Sequence, residues 1–259
     1  MIFGRVPLAQ ARGGILAHNL KTADRVLRKG ALIDAAAFDL LQAAGYKEVT
    51  IARLEPGDVP EGEAASYLGA LLLGPGLRRS KDVHGRVNLI AESRGLLRLD
   101  IKKIERLNQI DESITLATLA DRTVVDKDDM VATLKIIPFA VSGPAMSAAE
   151  ALISHGAPAL TVKPFRRLSV GLILTVLPHL KDAAIAHTIE ATRARITARG
   201  GIMLEPRETP HEARPLAEAI RELLTAGAEI VLISGASAVT DRLDVAPQAI
   251  VQAGGRITH

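Results

Sequence analysis

The residue types best suited to chemistry gather in one run, Ser234-Gly235-Ala236-Ser237-Ala238-Val239-Thr240-Asp241-Arg242-Leu243-Asp244, which follows the apolar segment Ile230-Val231-Leu232-Ile233. Gly235 and Ala236 let a backbone approach a ligand closely. The hydroxyls of Ser237 and Thr240 can hydrogen-bond an anion, and Asp241, Arg242 and Asp244 bring charge beside it. The same run also suits an ordinary strand-to-helix connection in which Asp244 caps the next helix and Arg242 pairs with a neighbouring carboxylate. The sequence leaves both readings open.

Two other stretches carry polar groups of the same kind. Val176 to Asp182 offers His179, Lys181 and Asp182 at a helix start, with Lys181 either a phosphate ligand or a solvated side chain beside a capping Asp182. Pro206 to His211 offers Glu208, Thr209 and His211, which suit a capping cluster as well as an acid–base group. His179 and His211 lack the HxxxH or HExxH spacing of a zinc site, and the chain has no Cys, so a metal would need His or carboxylate ligands or would arrive on a bound molecule. Glu112, Asp126, Asp128 and Asp129 fall in turns without the spacing and glycine of a calcium loop, which predicts a solvated surface. The GxGxxG, GxxxxGK[ST] and GxSxG patterns are absent, removing the commonest dinucleotide, P-loop and serine-hydrolase readings.

The elements that must position these loops follow from the hydrophobic pattern. Strand Val170 to Thr175, helix Ala183 to Arg199, strand Ile202 to Glu205, helix Glu212 to Ala226, strand Glu229 to Ser234 and a helix from about Pro247 alternate regularly, which predicts a mostly parallel sheet in a three-layer α/β/α domain. The continuously apolar Ile230 to Ile233 fits a strand covered on both faces, and Gly200-Gly201, Gly227 and Gly254-Gly255 supply helix stops. In such a sheet the three polar loops lie at strand carboxyl ends, facing one crevice.

The preceding part reads differently, as a mixed α+β domain rich in short strands. It has a strand Ile15 to Ala17, a helix Ala35 to Ala44 with Asp34 as cap and Gly45 as stop, a strand Val49 to Ala52 and a helix Glu61 to Leu73. Short strands Val87 to Ala91, Thr115 to Leu119 and Met130 to Phe139 surround a helix Ile101 to Asn108, before a helix Met146 to His155 and a strand Ala159 to Val162. The basic run Lys163 to Arg167 marks a boundary, giving domains of residues 1–165 and 166–259.

Composition narrows the partners. Among 259 residues, 48% are hydrophobic but only 2% aromatic, so the core is aliphatic and base-stacking platforms are improbable. Lys and Arg total 32 against 29 Asp and Glu, interleaved along the chain, which argues against nucleic acid as the main partner and leaves an anionic small ligand compatible. Arg78-Arg79-Ser80-Lys81 and Arg166-Arg167 read as solvated faces. The amino terminus lacks a long apolar core and no apolar run approaches the roughly 20 residues of a membrane span, so the expectation is a cytoplasmic protein with no membrane partner.

The run from Ile233 to Pro247 resembles the molybdopterin-binding domain shared by molybdenum-cofactor biosynthesis proteins of the MoeA and MogA/MoaB types. Those proteins carry a Gly-Gly-x-Ser or Gly-Gly-Thr-Gly loop after an apolar strand, followed by Asp and often by Asp-Val-x-Pro. Arg28-Lys29-Gly30, the helix ending Ala43-Ala44-Gly45, and Val49 to Leu54 with Gly57-Asp58 and Glu63-Ala64-Ala65 are similar to the first part of MoeA-related proteins. The middle, Val87 to Val141, matches no motif of the family. Three departures stand out: Ala236 replaces the second glycine, the loop is one residue longer, and Val176-Leu177-Pro178 replaces an acidic Gly-Asp-Glu. Relatives also continue past the position of His259, after a strand expected to begin at Arg256-Ile257-Thr258, so the chain reads as truncated or shortened.

The resemblance implies a homo-oligomeric protein that binds molybdopterin, free or nucleotide-linked, and takes part in molybdenum-cofactor biosynthesis or nucleotide modification, as a transferase if it is an enzyme. By that implication Thr175, Lys181, Gly235, Ala236, Ser237, Thr240 and Arg242 hold the pterin phosphate. Asp241 or Asp244 would orient the pterin or, in a catalytic form, position nucleotide or Mg²⁺, and partners would be a molybdoenzyme or a nucleotidyltransferase domain. The departures fit equally a non-catalytic module that senses or delivers the cofactor.

Overall fold

The computed structural model describes residues 1–178 and 181–258 of a mixed α/β chain. It divides into two compact units, Met1–Pro164 and Phe165–His259. Among the described residues, no helix is long and apolar enough to cross a membrane.

In the first unit all strand pairs are antiparallel. Strand Arg86–Ala91 buries Val87, Leu89 and Ala91 on one face with the period of two that a half-covered sheet demands. It lies between Leu77–Arg79 and Met130–Ile136, with Ile114–Thr118 on the far side of the latter. Helices Glu61–Leu71 and Gly143–Ser154 close the core around Leu68, Leu89, Leu134 and Leu160. A smaller core gathers Leu16, Ile33, Leu41 and Ile51 beneath the sheet of Ile2–Pro7, Glu48–Arg53 and Ile15–Leu16. The expected helix start at Asp34 is observed: its carboxylate accepts the Ala37 amide at 2.8 Å, and Gly45 ends the helix at φ +78°. Strand Ile2–Pro7 has no strong alternation and is defined by its register against Glu48–Arg53. The strand expected to reach Phe139 ends at Ile136, two residues before Pro138.

The second unit contains the strands and helices labelled from here on: β1 Ser169–Val176, α1 Asp182–Thr197, β2 Ile202–Met203, β3 Arg207–Pro210, α2 Ala213–Thr225, β4 Ile230–Ser234 and α3 Val245–Gln252. All its strands pair in parallel with β1. β2 and β3 run end to end along one edge of β1, with Ser169 beside Ile202 and Thr175 beside Thr209, while β4 occupies the other edge with Val170 beside Ile230. One expectation is corrected here: Pro206 to His211 is not all loop. Pro206 has no N–H to give, so the strand begun at Ile202 breaks at Met203 and resumes as β3. No strand forms at Arg256-Ile257-Thr258.

Alternate residues of β1 face opposite ways, and helices meet both. Leu172 and Leu174, with Met203, pack on Ile185, Ile189 and Ile196 of α1. Ile173, Val231 and Ile233 face Leu216, Ile220 and Leu223 of α2 together with Ala249 and Ile250 of α3. Residues 216, 220 and 223 share one stripe at helical spacing. The chain therefore leaves β1 toward one face and β4 toward the other, opening a crevice between their carboxyl ends. Gly200, Gly227 and Gly254 stop the helices with φ of +75°, +93° and +91°.

Close seating of α2 depends on Gly171, where an added Cβ would lie 2.7 Å from Leu223 Cδ1. Gly171→Val should destabilise the second unit by about 1–3 kcal/mol through overpacking. Chemical denaturation monitored by circular dichroism would check this, and an unchanged midpoint would refute the contact.

Candidate functional site

Three strand ends are tied together by one side chain. Thr175, second to last in β1 and only 2% exposed, accepts the Ala236 amide on its Oγ1 at 2.9 Å and lies 2.8 Å from His211 Nδ1. His211 follows β3 directly, and its Nε2 is 3.1 Å from Ser237 Oγ. A buried hydroxyl must also place its proton. Among the described residues the polar neighbour in reach is His211 Nδ1, so Thr175 donates there and Nδ1 accepts. The neutral imidazole then carries its proton on Nε2 and donates to Ser237. An imidazole that gives a proton to a serine is not placed to take one from it, so this is a row of donors rather than a nucleophile and its base.

The loop after β4 is shaped by Asp244. Its Oδ2 accepts the amides of Thr240 at 2.6 Å and Asp241 at 2.8 Å, with the Thr240 hydroxyl at 3.3 Å. Asp241 in turn accepts the Leu243 amide at 2.6 Å. Asp244 stands at the N-cap, just before α3, but makes no side-chain cap there. The expected helix cap is corrected: the carboxylate folds back to the loop it closes. Donation from the Thr240 and Asp241 amides, in that order, holds its pKa below the usual carboxylate range.

A cleft of about 530 Å³ opens above these groups, within the size range of small-molecule sites. Thr175, His211, Gly235, Ser237 and Asp244 form its polar side. Val239, Leu243, Val245 and Ile250 line it as well, and Val239 and Leu243 are 59% and 77% exposed. These two rim residues are apolar surface waiting for cover.

The structure thus brings together Thr175, Gly235, Ser237 and Asp244 from the sequence-predicted set, with Ala236 joined through its amide and Thr240 and Asp241 through Asp244. Lys181 precedes α1 and does not line the cleft; nor does Arg242, which has no ion pair among the described residues, so the expected pairing with a carboxylate is not found. His179 lies outside the described residues. His211 was the hardest member to identify from sequence, because only the register of β3 on β1, with Val176 beside Pro210, sets it above Thr175. No group of three or more His, Asp or Glu side chains among the described residues is arranged to hold a metal ion. In the first unit, Asp126 and Asp128 instead pair with Arg94 and Arg78.

Because the folded-state pKa of Asp244 is depressed, its contribution is complete above the unfolded carboxylate value of about 3.9 and disappears as pH falls through the folded value. The stability difference between wild type and Asp244→Ala should be constant near neutrality and shrink in acid. Denaturation midpoints across that range measure it, and a difference independent of pH would show that the amides do not hold the carboxylate. No protein-family model matches this chain, and no curated protein matches it.

Proposed function

We propose that the second unit binds molybdopterin or its nucleotide-linked form, with the pterin phosphate at the loop Gly235–Ala238, as part of molybdenum-cofactor biosynthesis. The carrying observation is the Thr175–His211–Ser237 relay at the crevice between β1 and β4. It leaves the Ser237 hydroxyl proton free to donate into a cleft floored by small residues, the His211 Nε2–H being taken by the serine oxygen. Neutral donors fixed in place suit a phosphate without requiring a cation in the cleft. The ring system would then lie along Val239 and Leu243, whose exposed surface gains from cover. In this reading the fold is the three-layer molybdopterin-binding type, the ligand's dithiolene supplies the molybdenum ligands, and Asp244 shapes the loop.

Binding without turnover is favoured over nucleotidyl or molybdate transfer by the use already made of the carboxylates. Asp244 Oδ2 takes two loop amides and Asp241 Oδ1 takes another, so each carboxylate already serves the shape of its own loop. This supports a sensing or delivery module, whose partner would be a molybdoenzyme or a nucleotidyltransferase domain.

A hydrogen bond to a charged phosphate contributes about 1.5–3 kcal/mol, so Ser237→Ala should weaken molybdopterin binding roughly 10- to 150-fold, and His211→Ala, which removes the group that orients that hydroxyl, should weaken it by less. Fluorescence of the oxidised pterin after separation of bound from free ligand provides the measurement. Wild-type protein that binds no molybdopterin at micromolar concentration would end the proposal.

A further inference from the structure

We infer that the first unit carries a separate binding site for a small phosphorylated molecule with an apolar body, in the cleft lined by Arg28, Lys29, His84, Lys135 and Phe139. Its volume is about 450 Å³, and Asn19, Gly30, Glu61, Ile137 and Pro138 complete the lining. Three permanent cations converge there against one carboxylate.

The charge is not cancelled locally. Lys135 Nζ lies 3.6 Å from Glu61 Oε2 and donates to the His84 carbonyl, so that cation is braced and partly answered. Arg28 and Lys29 have no ion pair among the described residues, although Arg5, Arg78, Arg94 and Arg98 of the same unit all do. Charged walls of one sign in a concave site concentrate counter-ions, and phosphate is the anion that several converging donors suit.

The cleft is also constructed rather than left over. The Lys29 amide donates to Asn19 Oδ1 at 2.7 Å and the Gly30 amide to the Leu16 carbonyl at 2.8 Å, fixing the turn on which Arg28 and Lys29 stand. Opposite, His84 takes a left-handed backbone at φ +52°, and the absence of a side chain at Gly85 makes room for Glu61, whose Oε2 would lie 2.9 Å from a Cβ there. Lys29 Nζ sits 5.3 Å from the Phe139 ring centroid. Phe139, Pro138 and the exposed Ile137 offer the organic part of a ligand an apolar wall beside the cations.

Calorimetric titration at low ionic strength with two probes, phenyl phosphate and inorganic phosphate, tests the site. Phenyl phosphate should bind about tenfold more tightly than inorganic phosphate, the increment expected from covering part of one ring. Arg28→Ala/Lys29→Ala, two exposed positions whose loss should leave the circular-dichroism spectrum unchanged, should lose at least about tenfold in affinity. Lys102→Ala/Lys127→Ala, which removes the same charge at two exposed positions outside both clefts, should bind as wild type does. Retention of affinity in Arg28→Ala/Lys29→Ala, equal affinity for the two probes, an equal loss in Lys102→Ala/Lys127→Ala, or no binding at millimolar concentration would each overturn the inference. None of these outcomes bears on molybdopterin binding.

Discussion

The second unit turns on a buried threonine hydroxyl that has two protein partners. Thr175 receives the Ala236 amide from the loop after β4 and meets the imidazole that follows β3, so one side chain on the central strand fixes what lies at the ends of both neighbours. Leaving such a buried group unpaired costs about 1–3 kcal/mol, comparable to the cost of ordering one or two loop residues. Every later feature of the cleft presupposes it. The amide at Ala236 sets where the loop departs, the tautomer of His211 sets which nitrogen carries a proton, and Ser237 is positioned by both. Threonine suits the position twice over, since its branched Cβ favours the strand while its hydroxyl does the linking.

Much of this unit was legible in the sequence because its strongest signals are local. Ile230 to Ile233 is apolar without a break, the α2 stripe of Leu216, Ile220 and Leu223 repeats at helical spacing, and three glycines sit where each helix needs a left-handed residue. Those signals fix a parallel sheet, and a parallel sheet fixes where ligands bind. Less legible was anything that depended on register. β3 was hidden by Pro206, and with it the link from Thr175 to His211, since neither residue announces the other across 36 positions of chain. Asp244 shows a different limit. An Asp before a helix signals a cap, but here backbone amides of a small-residue loop compete for the same carboxylate and win. In the first unit the short strands exceed what local alternation can specify, because their pairing joins segments as distant as Arg98 and Thr161.

The two proposed sites would meet an anion in opposite ways. In the first unit, full charges on Arg28, Lys29 and Lys135 line an exposed cleft where solvent screens them, giving attraction that weakens with salt and little orientation. In the second, the donors are neutral but held by a buried hydrogen-bond chain, so they cost no desolvation of a charge and give direction instead. In the proposed site the fixed donors would hold a phosphate in one pose. Asp244 is committed to the loop amides and the His211 Nε2–H to Ser237, so in the proposed site both would shape the cleft while the Ser237 hydroxyl meets the ligand.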